Sequence, residues 1–151
     1  MLHSHHLHTC MIMFVGDKNL FTPTFLAPSM GLQFANAFTG PMACHTVCVT
    51  TEGRCYSFGR NDKGQLGLGD SVSRNRPTLI KALENVKIEK AAIGKNHTFF
   101  LASTGEVWVA GSNNFGQLGL GKVSDSEDKA RQQPSLGSKV RRGTVFLSTF
   151  G

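Results

Sequence analysis

Two identical hexapeptides occur in this chain: Gly64-Gln65-Leu66-Gly67-Leu68-Gly69 and, 52 residues later, Gly116-Gln117-Leu118-Gly119-Leu120-Gly121. The same shift of 52 places His45-Thr46 on His97-Thr98 and Tyr56 on Trp108. Between residues 44–70 and 96–122, 11 of 27 positions are identical. Chance identities would not all fall at one constant shift over that length without a gap. The sequence therefore contains two copies of one structural unit.

The repeat also accounts for an excess of glycine. Glycine supplies 17 of the 151 residues, which is above the average usage of about 7%. Ten of these glycines form five pairs at the spacing of 52, namely Gly53, Gly59, Gly64, Gly67 and Gly69 with Gly105, Gly111, Gly116, Gly119 and Gly121. Because glycine tolerates positive φ and close backbone approach, we expect these positions to turn the chain.

Each copy is predicted to contain a β-hairpin. In the first, a β-branched run from His45 to Thr51 turns at Gly53 and continues as a short strand from Arg54 to Phe58. The second copy predicts strands over 97–102 and 106–110, joined by a turn around Gly105.

Two more strands are predicted between the hairpins, over Arg76–Ile80 and Val86–Ala92. The second alternates apolar and charged residues from Val86 to Lys90, as a half-buried strand does. Residues 79–85 have some helical character, but Pro77 and the short length argue against a helix. About four strands in a repeat of ~50 residues are typical of one blade of a β-propeller. The fold class expected is therefore all-β, with blades of four antiparallel strands.

Composition excludes several classes of protein. The net charge of +6 allows weak attraction to nucleic acid or an acidic protein, although a soluble surface of mixed sign is the favoured explanation. No apolar run approaches the length of a membrane-spanning helix. Four cysteines, Cys10, Cys44, Cys48 and Cys55, are too few for a disulfide framework and lack zinc-like spacing, so we expect small reduced core residues.

No catalytic motif, cofactor fingerprint or metal-ligand pattern is present in the sequence, and we predict no enzyme, no cofactor and no metal. Residues that recur at one repeat position are typical of structural roles. That set is predicted to hold the fold: His45, Gly53, Tyr56, Gly59, Asn61, Gly64, Gln65, Leu66, Gly67, His97, Gly105, Trp108, Gly111, Asn113, Gly116, Gln117, Leu118 and Gly119.

The sequence of both copies resembles the repeats of the regulator of chromosome condensation family, most of all its telophase-disc member. The resemblance covers residues 40–135 and rests on the His-Thr pair, the turn glycine, the aromatic-glycine step and Asn-x-x-Gly-Gln-Leu-Gly. It implies a β-propeller of seven blades around a central channel. Of these, this chain holds about two.

Three segments follow from that reading. Residues 1–39 form a poorly charged extension, expected to be poorly ordered, with a histidine cluster and Met30 as an alternative start. Residues 40–122 hold the two repeats. Residues 123–151 form a tail with an acidic serine cluster at 124–128, a basic run at 139–142 and the start of a further strand at 145–147.

The resemblance implies a non-catalytic protein-interaction module located in the cytoplasm or nucleus. Its expected partners are proteins, with small GTPases and chromatin among the implied classes, and neither a membrane nor a small-molecule substrate. The insertion used for nucleotide exchange in the founding member is not recognisable, so exchange activity is not carried over to this chain from the resemblance. The alternative is a repeat fragment of a larger multidomain protein, such as a ubiquitin ligase, whose activity lies elsewhere.

Overall fold

The computed structural model describes residues 32–134, which form eight strands in two sheets. The histidine cluster, Met30, Cys10, the basic run at 139–142 and the expected strand at 145–147 lie outside the described residues. Sheet A contains β1 (Phe34–Phe38), β2 (His45–Thr50), β3 (Cys55–Gly59) and β4 (Arg74–Leu79) in that order. Sheet B contains β5 (Ile88–Ile93), β6 (His97–Ala102), β7 (Val107–Ser112) and β8 (Ser126–Gln132) in the same order. All neighbouring strands are antiparallel, and the predicted fold class is confirmed.

The predicted strands lie within two residues of their observed bounds, whereas the segment over residues 79–85 differs from its prediction. A single 3-10 turn, Lys81–Leu83, stands where no helix was expected. Backbone hydrogen bonds close it, from Leu83 N to Ile80 O and from Val86 N to Leu83 O. The fully buried Leu83 side chain explains the turn, because the chain must bend to place it in the core.

The outer boundaries of the repeats also differ from the prediction. Strand β1 lies inside residues 1–39, the expected poorly ordered extension, and β8 lies inside the expected tail 123–151. Both lie at the edge of their sheet, β1 beside β2 and β8 beside β7, and β8 also exchanges backbone hydrogen bonds with Gly67 and Gly69 of the β3–β4 loop. Edge strands need little buried apolar surface, so their sequences carry a weak signal.

The two sheets pack face to face around one hydrophobic core, with β1 and β2 lying against β5. Sheet A contributes Val47, Val49 and Cys55, and sheet B contributes Phe100, Ala102 and Ala110. Each sheet has a second apolar cluster on its other face. We call these outer face A (Cys48, Tyr56 and Phe58, with Leu32, Phe34 and Leu79) and outer face B (Val107, Val109 and Leu118, with Phe99, Leu101 and Leu120).

The repeat glycines turn the chain as the sequence predicts. Within residues 32–134, the glycines with positive φ are the ten that the repeat pairs at a spacing of 52. None of the helices that the structure describes is long and apolar enough to cross a membrane.

The prediction that the cysteines are buried core residues is wrong for one of them. Cys48 and Cys55 are buried thiols, as expected, but Cys44 is exposed because it precedes β2 and faces solvent. None of these three forms a disulfide. Burial raises the pKa of Cys48 to about 12, which keeps it a neutral and unreactive thiol.

Candidate interaction surface

The segment between β3 and β4 is held by one buried asparagine side chain. Asn61 Oδ1 accepts a hydrogen bond from Leu66 N at 2.9 Å. Its Nδ2 donates to the carbonyl oxygens of Asp70 at 2.9 Å and Val72 at 3.1 Å. One fully buried amide thus ties both arms of the loop together.

The neighbouring glutamine closes the same loop. Gln65 Oε1 accepts from Lys63 N at 2.8 Å, and Gln65 Nε2 donates to Asp62 Oδ1 at 3.3 Å. Tight backbone turns complete it, from Gly64 N to Asn61 O and from Gly67 N to Gly64 O, both 3.0 Å.

The second copy repeats this brace between β7 and β8. Asn113 Oδ1 accepts from Leu118 N at 3.2 Å, while Asn113 Nδ2 donates to Lys122 O at 2.9 Å. Gln117 Oε1 accepts from Phe115 N at 2.9 Å. We refer to each asparagine with its glutamine as the loop brace.

Removing the first loop brace is expected to be costly. Asn61→Ala removes a fully buried amide and leaves Leu66 N and two carbonyls without their partners. We expect a loss of about 3 kcal/mol in the free energy of unfolding, measured by urea denaturation. The exposed Asn114→Ala is the matched control, and a comparable loss there would contradict the assignment.

A hydrogen-bonded chain joins the two sheets. His45 Nε2 lies 2.7 Å from Thr98 Oγ1, and Thr98 Oγ1 donates to Gln65 O at 2.7 Å. Desolvation, together with the nearby His97, lowers the pKa of His45 to about 4. His45 is therefore neutral at physiological pH and serves as a hydrogen-bonding residue between the sheets.

The equivalent positions in the two copies do not have equal surroundings. His97 and Thr46 are half-buried, and within residues 32–134 their side chains make no hydrogen bond like that of His45 and Thr98. The edge of the Phe34 ring meets Tyr56 at 5.7 Å between centroids, with the rings at 84°. Trp108 is half-buried against the core between the sheets.

One end of both sheets carries the exposed apolar side chains. The connections β1–β2, β3–β4, β5–β6 and β7–β8 all lie at this end, which we call the loop rim. Within the described part of the chain, every exposed large hydrophobic residue belongs to it: Met42 (68% exposed), Val72 (62%), Phe115 (87%) and Val123 (68%). Scattered exposed apolar residues are ordinary, but their confinement to one end marks a candidate interaction surface.

Charged pairs accompany the apolar residues on the loop rim. Arg60 donates to both carboxylate oxygens of Asp62 at 2.7 Å, and Arg74 Nη2 donates to Asp70 Oδ2 at 2.6 Å. Hydrogen bonds from these arginines hold the pKa values of both aspartates below their usual range. The rim is thus apolar with a paired polar border.

The acidic serine cluster is partly built into the second loop brace. Ser124 Oγ accepts from Asn113 Nδ2 at 3.0 Å and donates to Glu127 Oε1 at 3.2 Å. Lys122 and Arg131 each lie 3.5 Å from the same carboxylate.

The repeat positions were predicted from the sequence, and the structure places most of them in the loop braces, the glycine turns and the contact between sheets. Tyr56 and Leu118 lie instead on outer faces A and B. Sequence reasoning missed the loop rim. The sequence carried one signal for it, because the second copy has the aromatic Phe115 where the first copy has the charged Lys63. Within residues 32–134 no group of three His, Cys, Asp or Glu side chains is placed to hold a metal ion.

Comparison with known proteins identifies the repeat. Family models of the regulator of chromosome condensation (RCC1) repeat match residues 52–101 and 88–117. Protein RCC2 of Mus musculus is 43% identical over 109 residues, covering 72% of this chain and 21% of that protein. The X-linked retinitis pigmentosa GTPase regulator of Mus musculus is 49% identical over 83 residues, covering 55% of this chain and 8% of that protein. The resemblance expected from the sequence is confirmed.

Solved structures show the same fold at low identity. Human WBSCR16 aligns with a TM-score of 0.66 and 20% identity over 80% of this chain and 31% of its own. Prp20p of Saccharomyces cerevisiae, in a structure described with its binding to Gsp1p and histones, aligns with a TM-score of 0.59 and 21% identity over 72% of this chain and 27% of its own. The chain spans about a fifth of the length of RCC2.

Proposed function

We propose, from the premise that this chain carries RCC1 repeats, that it is a non-catalytic protein-interaction module whose loop rim binds a protein partner. The observation that carries the proposal is the confinement of the exposed large apolar side chains of residues 32–134 to that rim. The eighteen repeat residues act structurally in this view, and the two loop braces among them hold the loops that display Val72, Phe115 and Val123.

The loop braces make the rim suitable for binding. Phe115 is 87% exposed, yet its backbone N–H is held by Gln117 Oε1 at 2.9 Å. An aromatic side chain on an already ordered loop loses little conformational entropy when a partner covers it. Such side chains contribute a large part of the energy of protein interfaces.

A small GTPase is the partner class that we propose. One relative is by name a GTPase regulator, and Prp20p is described with its binding to Gsp1p and histones. Both names support a protein partner, and the histones named with Prp20p support association with chromatin. We accordingly propose the cytoplasm or nucleus as the location. The proposal does not include nucleotide exchange.

Capture of small GTPases on the immobilised chain tests this function. Nucleotide-free, GDP-loaded and GTP-loaded forms are compared, and we expect one form to be retained above the others. Phe115→Ser is expected to weaken that capture about tenfold or more, since it removes the most exposed aromatic of the rim.

Thr104→Ala is the matched control, because Thr104 is exposed at the opposite end of sheet B, in the β6–β7 hairpin. It should leave capture unchanged. Equal retention of all three nucleotide forms at background level, or full capture by Phe115→Ser, would contradict the proposal.

A further inference from the structure

The second loop brace depends on a serine hydroxyl where the first depends on a backbone carbonyl. In the first copy, Asn61 Nδ2 donates to Val72 O at 3.1 Å. The shift of 52 places Ser124 on Val72, and Asn113 Nδ2 donates to Ser124 Oγ at 3.0 Å. A hydroxyl can be phosphorylated and a backbone carbonyl cannot, so this acceptor can be modified in the second copy and not in the first.

The same hydroxyl lies against a buried carboxylate. Ser124 Oγ donates to Glu127 Oε1 at 3.2 Å, and Glu127 is 9% exposed. Lys122 Nζ and Arg131 Nε each lie 3.5 Å from an oxygen of that carboxylate. Two cations and one hydroxyl group thus surround a single negative charge.

Acidic residues follow Ser124 in the pattern that acidophilic protein kinases recognise. Asp125, Glu127 and Asp128 come after it within four positions. Among all serines and threonines of the 151 residues, only Ser103 and Ser124 precede a carboxylate by three positions. A kinase with a basic substrate cleft selects such a segment by charge complementarity. Ser103 lies in the tight turn of the β6–β7 hairpin and is followed by one nearby carboxylate, so Ser124 is the better substrate.

The segment around Ser124 is accessible. Residues 121–123 and Asp125 are exposed, and Ser124 is half-buried. The first copy shows that this part of the loop stays exposed when another sheet lies beside it. There, Gly64 lies against β8 of sheet B, while residues 71–73 remain exposed.

We propose that Ser124 is a phosphorylation site for an acidophilic protein kinase, and that its phosphate opens the second loop brace. ATP supplies the phosphoryl group. The bond between its γ-phosphorus and the β–γ bridging oxygen breaks, a bond from Ser124 Oγ to that phosphorus forms, and ADP leaves. The hydroxyl proton passes to the base of the kinase.

Electrostatic repulsion explains why the phosphate opens the brace. A phosphoserine carries a charge of about −1.5 to −2 and has lost the O–H group that Ser124 donates to Glu127. Carboxylate and phosphate together carry about three negative charges, against the two positive charges of Lys122 and Arg131. Because Glu127 is nearly buried, water screens this repulsion poorly. The Ser124 side chain therefore turns outward, and Asn113 Nδ2 loses that acceptor.

The phosphate acts on a loop that displays part of the loop rim. Phe115 and Val123 both belong to the β7–β8 connection, so opening the brace releases the backbone that orders them. Phosphorylation is expected to weaken binding at the rim for this reason. That consequence rests on the proposed function, whereas the site and the opening of the brace do not, because both are measured without a partner.

Phosphate uptake by the wild-type chain tests the site. The full chain is incubated with ATP and a purified acidophilic kinase of the casein kinase type, and mass spectrometry locates the phosphate. We expect it on Ser124, and Ser124→Ala is expected to lower the rate of uptake about tenfold or more. Ser126→Ala is the matched control and should leave the rate unchanged. No uptake, or uptake mainly on another residue, would overturn the assignment.

Hydrogen exchange tests the opening of the brace. Phosphoserine is inserted during synthesis of the full chain at position 124 or, as a control with the same charge on an exposed side chain, at position 126. The Leu118 amide, bound by Asn113 Oδ1 at 3.2 Å, is expected to exchange about tenfold faster with the phosphate at 124 and unchanged with it at 126. The Leu66 amide, held in the same way in the first copy, is the internal control and should keep its rate.

Glu127→Gln separates repulsion from bulk, because it removes the charge of the carboxylate and keeps its shape. In the chain with phosphoserine at position 124, this change is expected to restore most of the protection of the Leu118 amide. Unchanged exchange at Leu118, or equal acceleration by the phosphate at 126, would overturn the proposal. So would a failure of Glu127→Gln to restore protection, or faster exchange at Leu66 as well, which would mean loss of the fold and not the opening of one loop.

Discussion

Replacing Gly59 with alanine is expected to lower the free energy of unfolding by about 4 kcal/mol. Gly59 ends β3 at a φ of +107°, a backbone conformation that L residues rarely adopt. A Cβ at this position would lie 2.5 Å from Cys44 O and 2.7 Å from His45 Cα. Both neighbours are backbone atoms of the paired strand segment, so neither can move without disturbing β2. Strain and steric clash therefore add.

Gly69→Ala is the matched control, because it separates strain from clash. Gly69 also has a positive φ, +90°, but nothing lies within 4 Å of the Cβ it would gain. Only the conformational cost remains, about 1 kcal/mol. Urea denaturation of both variants measures the two losses. Similar losses for the two substitutions would show that the close approach of β2 and β3 is not what requires glycine at position 59.

Acidification is expected to destabilise the chain by about 3 kcal/mol between pH 6.5 and pH 4, through His45. Burial and the neighbouring His97 lower the pKa of His45 from 6.5 to about 4. Well above pH 6.5 the imidazole is neutral in both the folded and the unfolded chain, so it contributes no pH dependence there. As the pH falls below 6.5, the unfolded chain gains a proton that the folded chain cannot accept, and unfolding is favoured until the pH reaches the folded pKa.

The free energy of unfolding, measured across that pH range for wild type and His45→Gln, checks this expectation. The variant should lose most of the slope while keeping a polar side chain beside Thr98. Some slope remains, because burial also lowers the pKa of His97. Asp62 and Asp70 have lowered pKa values, so their ion pairs weaken at more acidic pH. A variant as pH-dependent as the wild type would exclude His45 as the titrating group.

Much of the interior of the fold follows from local pattern. The two hairpins were predictable because β-branched runs flank turn glycines, and the observed strands β2, β3, β6 and β7 lie close to their predicted bounds. The loop braces were predictable as recurring residues, because Asn61 and Gln65 satisfy backbone groups only a few residues away. Hydrogen bonding at that range depends on local sequence alone.

Other features depend on residues that are distant in the sequence. Strand β1 does not alternate apolar with polar residues, since Asn36 is its one polar residue, and its pairing with β2 places it in sheet A. Val72 and Phe115 belong to separate loops, and only the packing of the two sheets brings those loops to one end.

By itself, the sequence determined the repeat, the four-stranded unit and the ten glycines that turn the chain, because these rest on backbone geometry and short-range hydrogen bonds. The tertiary structure alone decided that His45 is buried against Thr98 while His97, at the same repeat position, is half-buried. Identical residues differ here because the burial and pKa of a side chain depend on which sheet covers it, and no local pattern contains that information.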